Sequence, residues 1–163
     1  MAQRSHPAED ERRALVQDLA AELVERVDPD ELAVFDDAAE DYFRDPGAVL
    51  DPRRRDEAVG SGVELALLTP VVLAVAQQVV DYLAGVVVEA VGDGVRPRLL
   101  HAVRRLLRLG DDEGTADPPM ALDSAQVEHV RAVALARARD VGLDDERARL
   151  LAESVVGGLR RTG

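Results

Sequence analysis

The sequence predicts an all-α protein: a compact helical bundle around one very apolar central helix, with a C-terminal helical hairpin. Three observations carry this. Apolar residues recur at helical spacing and nowhere sustain the alternation of a strand. Helix-opening signals stand at Asp28-Pro29, Asp51-Pro52, Asp123-Ser124 and Asp144. Residues 63–91 hold only three charged groups, Glu64, Asp81 and Glu89, and the 16 residues between Glu64 and Asp81 carry no charge. That run lies between the 10–14 residues of a buried core helix and the roughly 18 of a membrane span, so length alone leaves both readings open.

The first element is an amphipathic helix over 8–27, with Leu15, Val16, Leu19, Leu23, Val24 and Val27 on one face. Asp28-Pro29 opens a second helix that runs to about Arg44, with Leu32, Phe35, Ala39, Tyr42 and Phe43 inward, and Asp45-Pro46-Gly47 ends it. Asp51-Pro52 opens a short third helix that stops at the Gly60-Ser61-Gly62 hinge. Thr69-Pro70 reads as N-cap and first helical position of the central helix, 70–91, and Gly92-Asp93-Gly94 ends it. Valine is a mediocre helix former, so packing has to hold this segment helical. Its apolar residues leave one small-or-polar stripe of Ala74, Gln77, Gln78, Asp81, Gly85 and Glu89.

The next helix, 97–109, sets Leu99, Leu100, Val103, Leu106 and Leu107 against Arg98, Arg104, Arg105 and Arg108. Such a basic amphipathic helix suits a membrane surface, a partner groove, or a bundle whose arginines meet the acidic first sixty residues. Residues 110–122 read as a linker between a bundle (1–109) and a hairpin (123–163). In the hairpin, Asp123 with Gln126 caps a helix to about Asp140, Val141-Gly142-Leu143 turns the chain, and Asp144 caps a last helix to about Leu159. There is no internal repeat.

Composition narrows function by exclusion. All 20 cations are arginine, a bias that fits a bacterial genome of high GC content and removes lysine Schiff-base chemistry. Without cysteine there are no disulfides, thiolate nucleophiles or thiolate metal sites. The net charge of −12 argues against a nucleic-acid partner, because phosphate contacts need positive surface. The charge is uneven: −9 over residues 1–62 and +4 over 93–110. No apolar signal segment opens the chain, so a cytoplasmic location is expected.

Asp36, Asp37 and Asp41 share a helix face and are the candidate metal ligands, although a magnesium site of that kind needs a second acidic cluster opposite. His6, His101 and His129 are isolated. The serines lack a nucleophile elbow, and the glycine pairs lack the rest of a phosphate loop. Three acids at Asp144, Asp145 and Glu146 spoil a helix-turn-helix reading of the hairpin.

No cofactor is expected, and the balance leans away from an enzyme. The leading expectation is a non-catalytic helical interaction module, adaptor-like or self-associating, because so apolar a helix should leave surface over on a small bundle. Its partner is another protein or a second copy, and the interaction residues are Gln77, Gln78, Asp81, Gly85, Arg98, Arg104, Arg105 and Arg108. The alternative is a membrane-associating protein in which 63–91 and 97–109 engage lipid. Equal rise on either side of Gly92 further predicts a buried ion pair between Asp81 and Arg104 or Arg105, whose loss should be strongly destabilising.

Overall fold

The computed structural model describes residues 7–51, 53, 68–92, 98–109 and 120–160. The chain is all-α: a helical bundle assembled around one apolar helix, closed by a C-terminal pair of helices in mutual contact. In order these are α1 (Pro7–Val27), a 3-10 segment (Pro29–Val34), α2 (Phe35–Arg44), α3 (Pro46–Leu50), α4 (Leu68–Val91), α5 (Leu99–Leu106), α6 (Ser124–Asp140) and α7 (Asp145–Gly157). The expected third helix and glycine hinge after residue 53 lie outside the described residues, as do residues 93–97, His6 and most of the expected linker.

Helix α4 is the axis. It packs on α1, α2, α3, α5 and α6, most extensively on α1 and α6. Every residue from Leu68 to Ala76 is buried, and farther along Val79, Val80, Leu83, Val86 and Val87 are buried too. The Val-rich sequence is therefore held helical by enclosure, as its propensities require. Helix α4 is the one helix among the described residues long and apolar enough to cross a membrane by length and composition. Within the bundle, 61 % of its most apolar window is buried against protein.

That enclosure leaves less apolar surface over than the sequence implies. The exposed large hydrophobics among the described residues are Leu32, Val91 and Leu150, on three different elements. Scattered single residues of this kind are ordinary for a soluble surface.

The start of α4 departs from expectation. The helix already includes Leu68, so Thr69 lies within it and does not cap it from outside. The first-turn donors are met by Glu31, from the 3-10 segment. Its carboxylate accepts from the N–H groups of Leu68 (3.2 Å) and Thr69 (2.8 Å) and from the Thr69 hydroxyl (2.6 Å). Thr69 is fully buried, so without Glu31 these groups would be dry donors beside a positive helix end.

Two further boundaries differ. Asp28 makes no side-chain cap, and the chain takes a 3-10 path from Pro29 before α2; Glu31 is thereby given to α4, while Leu32, expected inward, is exposed. Asp45-Pro46-Gly47 ends α2 and at once opens α3, because the Asp45 carboxylate accepts from Ala48 N–H at 3.1 Å.

The hairpin forms where the sequence places it. Asp123 and Gln126 exchange both bonds of a capping box, Gly142 turns the chain with φ +94°, and Asp144 caps α7. Its inner residues, such as Val130, Ala134, Leu151 and Val155, belong to the same core as α1 and α4. Backbone bonds stitch its base to the bundle: Arg160 N–H donates to Leu106 carbonyl (2.8 Å), and Leu122 N–H donates to Arg160 carbonyl (3.0 Å). Arg26 of α1 donates to the Ser154 carbonyl of α7 at 3.1 Å.

The Glu31 clasp makes a direct prediction. Glu31→Ala strands three donors and should lower unfolding free energy by about 2–3 kcal/mol, whereas Glu31→Gln, which keeps an acceptor oxygen, should lose about half of that. Urea unfolding followed by helical circular dichroism at pH 7 measures both. Midpoints equal to the parent's would show that solvent replaces the carboxylate without loss.

Candidate functional site

The polar residues of α4 divide by depth. Gln77, nearest the fully buried half, accepts a hydrogen bond from the buried Tyr42 hydroxyl at 2.9 Å and so ties α2 to α4. Burial raises the Tyr42 pKa above its ordinary 10.0, partly offset by the positive charge of Arg137. Gln78, Asp81, Gly85 and Glu89 are exposed, so the expected small-or-polar stripe faces solvent over the second half of the helix. Beside it Tyr82 stacks on His129 of α6, with ring centroids 4.4 Å apart. The Tyr82 pKa is raised by burial first and then by the charges of Asp123 and Glu89.

Asp81 is neither buried nor paired with α5. Its carboxylate forms an ion pair with Arg12 of α1, and the two side chains are 42 % and 43 % exposed. Arg104 in turn donates to Asp18 of α1 at 2.7 Å. The two helices do pack together, but not in the register that equal rise predicts: Asp81 shares a groove with Leu99 and Leu100, whereas Arg104 meets Asp18, farther along α1 than Arg12. Because α1 packs on both, its side chains reach the charged margins of each. The arginine face of α5 thus meets the acidic first segment. Arg105 is partly buried, while Arg98, which precedes α5, and Arg108 are exposed. Arg108 ends the helix in the left-handed region at φ 55°, a position that usually selects glycine.

These elements enclose a groove of about 540 Å³. Its floor is apolar, from Val80 and Ala84 of α4 and Leu99 and Leu100 at the start of α5. Its rim is charged, from Glu9 and Glu11 of α1 and the Arg12–Asp81 pair. Of the residues singled out from sequence, the groove gathers Asp81, and Gly85 lies one helical turn beyond it. The α1 residues were missed. The one available signal was the glycine: Gly85 stands mid-helix, where it disfavours the helix by about 1 kcal/mol relative to alanine. Among the described residues nothing lies within 4 Å of where its Cβ would be, so no contact with them requires glycine.

The acidic run on α2 is solvated. Asp36, Asp37 and Asp41 are exposed; Asp41 and Glu40 each accept from Arg44 at 2.9 Å. Among the described residues no three His, Asp or Glu side chains are placed to hold a metal ion. Between α1 and α2 a second, polar hollow of about 510 Å³ includes Asp36 and Glu40, and Arg13 covers its Phe43 ring at 4.6 Å from the centroid.

No protein-family model, curated protein or solved structure matches the chain.

Two outcomes follow from these geometries. Asp81→Ala should lower stability by under about 1 kcal/mol, because a half-exposed pair is screened and solvated. A loss of about 3–5 kcal/mol in urea unfolding would restore the buried pairing. Tyr42→Phe should cost about 0.5–1.5 kcal/mol at pH 7 through the Gln77 bond. A tyrosine whose folded pKa is raised contributes stability that is complete below the unfolded value of 10.0 and lost as pH rises through the folded one. The variant should therefore lose less stability than the parent above about pH 10, and parallel alkaline unfolding curves would refute this.

Proposed function

We propose that this chain is a non-catalytic α-helical protein-interaction module, cytoplasmic and adaptor-like, that works through the α1–α4–α5 groove. The observation that carries the reading is the groove itself: an apolar floor within a charged rim, on three helices that pack on one another. This is the usual architecture of a surface that seats a helix. The apolar side chains of α4 are mostly covered by its neighbours, so the groove and not a leftover apolar face is the surface open to a partner.

A photo-crosslinking amino acid at Gln78, on the exposed stripe of α4, tests the reading in the native host. One or a few discrete crosslinked products are expected from position 78 and none from Arg149 on α7. No discrete product from position 78 would overturn the reading. The product's mass separates a second copy from a different protein.

The membrane reading has the hydropathy of α4 and the exposed Arg98 and Arg108 in its favour. Insertion would have to strip α1, α2, α5 and α6 from α4 and open the Glu31 clasp. Flotation with anionic vesicles at low salt discriminates, and the interaction module is expected to stay with the soluble fraction.

A further inference from the structure

We infer that the α1–α4–α5 groove receives a basic amphipathic helix of another protein, and not a second copy of this chain; the inference rests on the interaction-module reading. The floor calls for apolar side chains, and the groove volume of about 540 Å³ is sufficient for a few of them. Gly85 supplies the second observation. None of the described residues touches the place where its side chain would be, yet the helix carries glycine there. A bare backbone beside a groove lets a partner's backbone approach closely, which any larger residue would prevent.

Charge then selects the occupant. Glu9 and Glu11 stand on the rim with Asp81, and Arg12, the one cation lining the groove among the described residues, is already engaged by Asp81. Glu89 continues the acidic line along the exposed stripe. Covering these carboxylates without cations would leave them desolvated and uncompensated. Arginines or lysines flanking an apolar stripe would meet them and speed encounter with so acidic a surface. A symmetric dimer across this face would instead set each acid near its own copy, in a chain that already carries −12.

The probe is a fluorescein-labelled, roughly 18-residue peptide, about five helical turns, with one leucine stripe flanked by lysines. Its counterpart has glutamate at every lysine. By anisotropy the lysine peptide should bind the full chain and the glutamate peptide should not. Gly85→Leu, which leaves every charge in place, should weaken binding about tenfold or more. The double variant Glu9→Gln/Glu11→Gln should also weaken it, whereas Asp36→Asn/Asp37→Asn, of equal charge change but on α2, should leave it within about twofold. Equal binding of both peptides would overturn the inference, as would indifference to Gly85→Leu in a variant that keeps the parent's helical spectrum, or equal loss from the two double variants. If Gly85→Leu fails to fold, the two double variants decide. A dimer by light scattering that Glu9→Gln/Glu11→Gln strengthens would assign the groove to a second copy and likewise overturn it. A crosslink from position 78 to a partner lacking a basic helix would defeat this inference while leaving the interaction module standing.

Discussion

Everything in this fold follows from having to enclose α4. A helix that is apolar around most of its circumference has no solvated face to offer over its first half, so neighbours must cover it on several sides. Helices α1, α2, α5 and α6 do so, and the core they share runs from Leu15 to Leu159. Enclosure raises a second difficulty, because a buried helix start carries N–H groups that water cannot reach. The Glu31 carboxylate resolves it from 37 residues away, taking the Leu68 and Thr69 donors together with the Thr69 hydroxyl. Its charge faces the positive end of the helix, where it is favoured.

The same enclosure leaves the opposite end of α4 partly open. From Gln78 onward one stripe of the helix meets solvent, and α1 and α5 border the nearby groove with acids and leucines. The strongly uneven charge of the chain has a structural use here. Asp18 of the acidic first helix anchors Arg104 of the basic one, while Arg12 of α1 answers the only charge in the middle of α4. Exposed pairs of this kind add little stability; they set which rim side chains are without an ion-pair partner among the described residues. The rim that results is acidic, and with the apolar floor it is the feature from which a partner can be specified.

How much of this was legible depends on the distance over which each feature is decided. The α6–α7 hairpin could be read almost residue by residue, since its capping box, its glycine turn and its second cap are each settled within four residues. The inward face of α1 and the apolar character of α4 follow equally from helical periodicity. Local signals fall short at two boundaries: Asp28-Pro29 opens a 3-10 segment from which Glu31 reaches α4, and Asp45-Pro46 starts a helix as well as ending one. For the candidate site, the sequence pointed to Asp81 and Gly85 but not to Glu9, Glu11 or Leu99, which reach the same groove from other helices.

By itself, then, the sequence determined that the protein is helical, that α4 is its most apolar element, and where most helices begin and end, because backbone hydrogen bonds, caps and periodicity act over one or two turns. Only the tertiary structure decided that Asp81 belongs to Arg12, that Thr69 is capped by Glu31, and that α4 spends its apolar surface on its own neighbours. Those outcomes depend on which helix lies between which others, and neither spacing nor composition encodes the order in which faces meet. Asp81 is the clearest instance: equal rise along α4 and α5 predicts Arg104 at its height, whereas Asp81 shares a groove with Leu99 and Leu100, and α1 supplies the partner of each ion.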